Sequence, residues 1–209
     1  MRQFKMLAVA VLAASLSGCM ATGSGPDSLQ CTLGRILGQE CGAETLQTSE
    51  RWDRVQKAFD AEIAQARQAQ QKAVATSTRL PQRQQATAGE ITTLNVLITD
   101  SKTKEQKSIR TLDTVEVSLP LSGKGKAAHM ETFDAILDFA NVVADNRGSA
   151  AVLVYQNPAD VKAGRANPTG SVLKSPLGKP VNVRKVSDSN TPVGVERYVV
   201  KSGEVRGQI

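Results

Sequence analysis

Between Val115 and Tyr155 the chain reads VEVSLPLSGKGKAAHMETFDAILDFANVVADNRGSAAVLVY. The residues Val115–Leu119 alternate apolar and polar side chains, which is typical of a strand with one buried face. Residues 126–146 repeat apolar side chains at steps of three and four, and Gly148 follows as a stop signal, so we predict an amphipathic helix. The apolar run Ala151–Tyr155 predicts a second strand. This strand–helix–strand order indicates a βαβ unit with a right-handed crossover.

Further strands are expected on both sides of this unit. Ile91–Thr99 alternates, with Leu94, Val96 and Ile98 on one face. Residues 157–180 are rich in Gly and Pro and are expected to be irregular. Two short strands, near residues 181–186 and 193–200, would complete the sheet. We therefore predict a small mixed-sheet α/β domain over residues 90–209.

A long helix is predicted over residues 44–80, which contain almost no Gly or Pro and many strong helix formers. Residues 81–89 then read as a linker. One face of the helix carries an apolar stripe: Trp52, Val55, Phe59, Ile63 and Ala66. Either the first half of the helix packs on the domain and the second half is solvated, or the stripe is an exposed surface for self-association or a partner. In the second case Trp52 and Phe59 are the candidate anchors. The predicted fold class is thus α+β, a long N-terminal helix followed by a small mixed-sheet domain that contains one βαβ unit.

The first 18 residues have the layout of a secretory signal peptide, with Arg2 and Lys5 before a short apolar run. The stretch Leu16-Ser17-Gly18-Cys19 resembles the lipobox of bacterial lipoproteins. The resemblance implies a thioether-linked diacylglycerol and an N-acyl chain such as palmitate on Cys19, which together anchor a protein stably to a membrane. Since Met20 follows the cysteine rather than aspartate, the analogy favours the outer membrane and its periplasmic face, with surface exposure as the alternative.

Residues 19–43 would then form a lipid-anchored tether that contains the other two cysteines, Cys31 and Cys41. Lipidation consumes one of the three cysteines, and the remaining even number suits an exported chain. We predict a Cys31–Cys41 disulfide, which would close a loop of about ten residues and contribute on the order of 3 kcal/mol. Two free thiols or an intermolecular bond are the alternatives.

A second resemblance concerns the domain. The first strand of the unit, the helix with Phe133-Asp134-Ala135-Ile136-Leu137 and the following strand resemble the OmpA-like peptidoglycan-binding domain. That family places an Asp and a later Arg after the second strand, where they hold the cell-wall peptide. The resemblance implies that Asp160 and Arg165 are the nearest candidates for these roles.

Composition and motifs point away from several functional classes. Aromatic residues make up only 3% of the chain and the net charge of +6 is scattered, so we expect no nucleic-acid binding. The pattern GKGKAA at residues 123–128 fits a phosphate-binding turn, but the acidic ribose partner is missing. Ser171-x-x-Lys174 and Lys201-Ser202-Gly203 match fragments of the penicillin-interacting motifs. His129 is the only histidine, and we expect no cofactor, no metal and no enzymatic activity.

The sequence therefore predicts an outer-membrane-anchored periplasmic lipoprotein that acts as a non-enzymatic assembly or scaffold subunit of an envelope machine for secretion, conjugation, pilus formation or polymer export. Its expected partners are the membrane, through the lipid anchor, and other envelope proteins or further copies of itself. A peptidoglycan-binding lipoprotein is the alternative function. An envelope enzyme with a pocket around His129 or Ser171 is the third.

Overall fold

The computed structural model describes residues 48–203 and residue 205. The predicted signal peptide and tether, together with Cys19, Cys31 and Cys41, lie outside the described residues and stay predictions. The described helices are α1 (Thr48–Ser77), α2 (Ala127–Arg147) and α3 (Pro158–Lys162). The strands are β1 (Thr87–Thr99), β2 (Gln106–Pro120), β3 (Ala150–Gln156), β4 (Ser171–Lys174), β5 (Pro180–Ser187) and β6 (Val195–Ser202). Two 3₁₀ turns, Gln82–Gln84 and Leu121–Gly123, connect elements.

The strands form one mixed six-stranded sheet in the order β1-β2-β6-β3-β5-β4, which confirms the predicted mixed-sheet α/β character. Among the described strands, β3 and β5 are the one parallel pair, and the other neighbours are antiparallel. The strands of the predicted βαβ unit, β2 and β3, both run antiparallel to β6 and therefore point in the same direction. They are not neighbours, however, because β6 lies between them. Local periodicity cannot reveal this insertion, since β6 comes from the far end of the domain.

The core lies between one face of the sheet and the helices α1 and α2. Alternate residues of β2, β3, β5 and β6 point into it, among them Val117, Val152, Val181 and Val200. α2 contributes Ile136, Phe139 and Val143, among others. As predicted, α2 ends at Gly148, whose φ of 86° is costly for any residue with a Cβ and whose N–H donates to the Ala144 carbonyl at 2.7 Å.

The apolar stripe of α1 is buried, which corrects the expectation of an exposed partner surface. Trp52 is 2% exposed and Phe59 is 3% exposed, and both pack with Ile98 of β1 and Ile109 of β2. Burial continues along the helix to Ala66 and Ala73. The second half of α1 is therefore not simply solvated, because small alanine side chains let helices approach each other closely. Residues 44–47 of the predicted helix lie outside the described residues.

Two segments expected to be irregular contain regular structure. β1 begins at Thr87, inside the predicted linker of residues 81–89. In the sequence Gly89 is typical of a strand breaker, yet it lies in β1. A Cβ at this position would lie 2.6 Å from Cγ of Glu116, so glycine lets the Glu116 side chain approach the β1 backbone closely. The segment 157–180 contains α3 and β4. None of the helices that the structure describes is long and apolar enough to cross a membrane.

Candidate functional site

Asp160 and Arg165 are brought together by the structure, as an internal ion pair. The Arg165 guanidinium donates to Oδ1 of Asp160 at 2.7 Å, and Gly194 N–H donates to Oδ2 at 2.7 Å. The Asp160 carboxylate is fully buried, whereas the Arg165 side chain is 49% exposed. Both carboxylate oxygens thus serve to join the loop after α3 to the loop before β6.

The residues that matched catalytic patterns do not converge. Ser171 is exposed on β4, whereas Ser202 lies on β6 and donates to the Leu112 carbonyl at 2.7 Å. Two strands, β3 and β5, separate β4 from β6. The lysines of the glycine-rich turn are engaged as well: Lys124 Nζ donates to the Arg165 carbonyl at 3.2 Å, and Lys126 Nζ donates to Oε1 of Gln84 at 2.6 Å.

His129 is only 6% exposed and lies in α2. It hydrogen-bonds the Pro120 carbonyl, while its Nε2 is buried without a hydrogen-bond partner among the described residues. Burial lowers the pKa of His129 below its ordinary value. The charge of Glu196 raises this pKa, whereas the charge of Lys124 lowers it further. In the part of the chain that the structure describes, no serine or cysteine is bonded to this neutral, enclosed imidazole, which is therefore not arranged there as the base of a nucleophile. Among the described residues no group of three or more His, Cys, Asp or Glu side chains could hold a metal ion.

Sequence reasoning missed a buried polar cluster around Glu196, which is 3% exposed. Gln156 Nε2 donates to Oε1 of Glu196 at 2.6 Å, and the Tyr198 hydroxyl donates to Oε2. Lys185 Nζ lies 3.9 Å from Oε1. Burial raises the pKa of the Tyr198 phenol and lowers the pKa of the Lys185 ammonium. The alternation of β6 carries the signal for this cluster, since it places Glu196, Tyr198 and Val200 on one face.

The carboxylate of Glu196 is thus shared among three strands, β3, β5 and β6. Gln156 uses its amide twice, because its Nε2 also donates to the Asn167 carbonyl at 3.0 Å. Such a satisfied network specifies strand positions and stabilises the end of the core. We interpret it as structural.

The outer edge of β1 is a different kind of feature, because it presents backbone groups that no described strand pairs. β1 is 13 residues long, and among the strands that the structure describes it pairs with β2 alone. Its sequence, TAGEITTLNVLIT, contains a single charged residue, Glu90. Leu94 is 40% exposed and Leu97 is 57% exposed. This edge offers hydrogen-bonding groups and apolar side chains together.

The opposite edge of the sheet, β4, is protected in the ways that natural proteins commonly use. It has only four residues, it ends at Lys174, and Pro176 follows. Short length, lysine and proline all hinder the addition of another strand. In β1, register irregularities between Ala88 and Ile91 and between Thr92 and Thr93 disrupt the first half. The second half, Thr93–Thr99, pairs with β2 without interruption and has no charge at all.

The β1 edge is therefore the candidate functional site, and its chemistry is that of strand addition. In this mode an extended segment hydrogen-bonds to an exposed sheet edge, and its alternate side chains contact neighbours on the two faces. The sequence predicted the strand but not its place at the edge, which depends on how the sheet is ordered. No family model, no curated protein and no solved structure matches this chain.

Proposed function

We propose that this protein is a lipid-anchored assembly subunit of the bacterial cell envelope, held at the periplasmic face of the outer membrane through Cys19. In this role it binds a protein partner through the β1 edge and catalyses no reaction. The observation that carries the proposal is the uncharged, uninterrupted edge of Thr93–Thr99 beside the exposed Leu94 and Leu97. An edge of this kind favours pairing with another strand unless something covers it.

The state of the buried ionisable groups supports a non-enzymatic role. Asp160 is bound by Arg165 and Gly194, and Glu196 is bound by Gln156 and Tyr198. Catalytic acids and bases need reach to a substrate as well as a suitable pKa. In the part of the chain that the structure describes, these carboxylates are enclosed and already satisfied.

The proposal is tested by extracting the full chain in mild detergent and identifying what co-purifies with it by mass spectrometry. We expect defined envelope proteins or further copies at fixed stoichiometry. Leu97→Lys should reduce their recovery, because a lysine on an edge strand opposes strand addition. Val172→Lys is the matched control, since Val172 is 68% exposed on the protected β4 edge. Recovery of a lone chain, or equal recovery from both variants, would contradict a role for β1.

The anchor is tested separately by Cys19→Ala. We expect this variant to lose the radiolabelled fatty acid and to leave the membrane fraction, since the acyl chains supply the membrane affinity. Cys31→Ala is the control and should keep both. A Cys19→Ala chain that still carries fatty acid would exclude the lipobox assignment.

Peptidoglycan binding is the second candidate function, and the juxtaposition of Asp160 and Arg165 is the observation that favours it. The half-exposed Arg165 guanidinium could receive a carboxylate of the cell-wall peptide, although Asp160 is already saturated. Sedimentation of the detergent-extracted chain with purified peptidoglycan tests this candidate. Co-sedimentation that Arg165→Gln abolishes would favour it over partner binding through β1.

A further inference from the structure

We propose that the occupant of the β1 edge is β1 of a second copy of this chain. The two strands run antiparallel and are related by a two-fold axis at Val96. This inference rests on the proposed function and names the partner that binds at the same site. It follows from the order of side chains in Thr93–Thr99, from the faces on which the exposed leucines lie, and from the position of the single charge.

The uninterrupted half of β1 reads TLNVLIT, with threonine at both ends and branched aliphatic residues at the second, fourth and sixth positions. Antiparallel pairing about Val96 places Thr93 opposite Thr99 of the second copy and Leu94 opposite Ile98 of the second copy. It also places Asn95 opposite Leu97 of the second copy, and Val96 opposite its own equivalent. Threonine pairs and branched aliphatic pairs are favourable cross-strand neighbours. Across a two-fold axis residue i contacts residue j and residue j contacts residue i, so each of these favourable pairs occurs in both halves of the interface.

The exposed leucines lie on the two faces of the sheet. Leu94 pairs with Thr111, whose hydroxyl accepts from Arg147 in the interior, so Leu94 lies on the side that α1 covers. Leu97 pairs with Ser108 and lies on the other side. A helix or loop laid on one face would cover only one leucine. An added strand, in contrast, has neighbours on both faces and covers both.

Charge also favours the two-fold arrangement. The register about Val96 brings Glu90, the one charged residue of β1, to the end of β1 in the second copy, where the chain turns through Lys102. Lys102 is exposed in the turn between β1 and β2, where Lys104 is exposed too. In each copy, Glu90 therefore lies toward the turn of the other copy that carries Lys102 and Lys104, so this contact occurs twice in the dimer. No like charges are opposed along Thr93–Thr99.

The arrangement also determines where the helices of the two copies lie. Antiparallel pairing of two identical edges places the two-fold axis perpendicular to the sheet, so the α1 and α2 layers of both copies lie on the same side. The two six-stranded sheets become one continuous sheet. This is an isologous interface, the commonest kind in homodimers.

Cysteine cross-linking in native membranes tests the register. With the two-fold axis at Val96, the Cβ atoms of residue 96 in the two copies lie about 5 Å apart, within reach of a disulfide. We expect Val96→Cys to give a covalent dimer under mild oxidation. Leu94→Cys is the matched control, because its two copies would be displaced by four positions, about 13 Å along the strand. The unmodified chain, which retains Cys31 and Cys41, supplies the background.

Native mass spectrometry of the detergent-extracted full chain tests the stoichiometry. We expect dimers, and we expect Leu97→Lys to reduce the dimer at least tenfold while Val172→Lys leaves it unchanged. A monomer, or a cross-link from Leu94→Cys but not Val96→Cys, would overturn the inference. A single copy bound to other envelope proteins would overturn it too, yet would leave the proposed function standing. A dimer without any other protein would support the inference and leave assembly of a larger machine unsupported.

Discussion

Arg147 and Glu62, 85 residues apart in the sequence, form a buried ion pair that joins the last residue of α2 to the middle of α1. Arg147 Nε donates to Oε1 and Oε2 of Glu62 at 3.0 and 3.2 Å, and its Nη2 donates to Oε2 and to the Thr111 hydroxyl. The side chains are 6% and 1% exposed, and the guanidinium lies 5.3 Å from the Phe59 ring centroid. The pair holds α1 on the sheet beside the last turn of α2.

We expect Arg147→Gln to lower the free energy of unfolding by about 3–5 kcal/mol, because it leaves the Glu62 carboxylate buried without its counter-charge. Urea denaturation of the full chain in detergent measures the change. Lys72→Gln is the control, since the Lys72–Asp138 pair is at 3.6 Å with both side chains about two-thirds exposed. It should cost less than about 1 kcal/mol. Equal losses in the two variants would show that the buried pair does not stabilise the fold.

Replacing both partners, as Glu62→Leu with Arg147→Met, should cost less than Arg147→Gln alone. Apolar side chains of similar volume avoid the desolvation of two charges, so the coupling energy in a double-mutant cycle should be large. Urea denaturation of the unmodified chain, Glu62→Leu, Arg147→Met and the double variant gives the four free energies that the cycle needs. Additive losses would mean that the two residues stabilise the fold independently.

Trp52→Ala should lower the free energy of unfolding by about 3–5 kcal/mol, because Trp52 fills the contact between α1, Ile98 and Ile109. Met130→Ala, at a side chain that is 58% exposed on α2, should change it by less than about 0.5 kcal/mol. Thermal unfolding followed by circular dichroism compares the two. If Trp52→Ala behaved like Met130→Ala, the burial of the stripe would be wrong.

Gly148→Ala should destabilise the fold by about 1–2 kcal/mol, because φ of 86° is costly for a residue with a Cβ. Nothing lies within 4 Å of the position that the added Cβ would take, so the cost is conformational rather than steric. Gly148→Asn should cost less, since asparagine tolerates this conformation better than alanine. Equal costs for the two variants would argue against backbone strain as the cause.

His129 should make stability fall as the solution becomes acidic. Burial lowers its pKa in the folded state, so below about pH 6.5 the unfolded chain binds a proton that the folded chain still excludes. This site should contribute at most about 1.4 kcal/mol of loss per pH unit until the folded state also binds the proton. Denaturation midpoints between pH 5 and 8 measure the effect. His129→Gln should make stability depend less on pH. An unchanged pH dependence in that variant would mean that other groups cause it.

Much of the secondary structure follows from local patterns. The alternation of Val115–Leu119, the apolar run Ala151–Tyr155 and the stop at Gly148 correspond to observed elements. Predicted boundaries were less accurate where glycine and polar residues lie in strands. β1 begins four residues earlier than expected. β2 already begins at Gln106, inside the polar stretch before the predicted strand, because the tight turn at Asp100 reverses the chain within a few residues.

The Asp100 turn shows why such a boundary escapes a pattern. The Asp100 carboxylate accepts the N–H groups of Lys102 and Thr103, and Arg51 of α1 donates to it at 2.7 Å. Burial would raise the pKa of Asp100, but these hydrogen bonds and the Arg51 charge together lower it below its ordinary value. The partner that completes the turn comes from another element, 49 residues earlier in the sequence.

By itself the sequence determined most of the longer helices and strands, because period and breaker residues act over a few neighbours, and it led to the lipoprotein hypothesis. Only the tertiary structure decided that β6 inserts between β2 and β3, that the Trp52 stripe is core, and that none of the described strands pairs with the outer side of Thr93–Thr99. These outcomes depend on which distant segments pair and how much apolar area each arrangement buries. An apolar stripe looks the same in sequence whether it faces a sheet or a partner, and only the packed chain distinguishes the two.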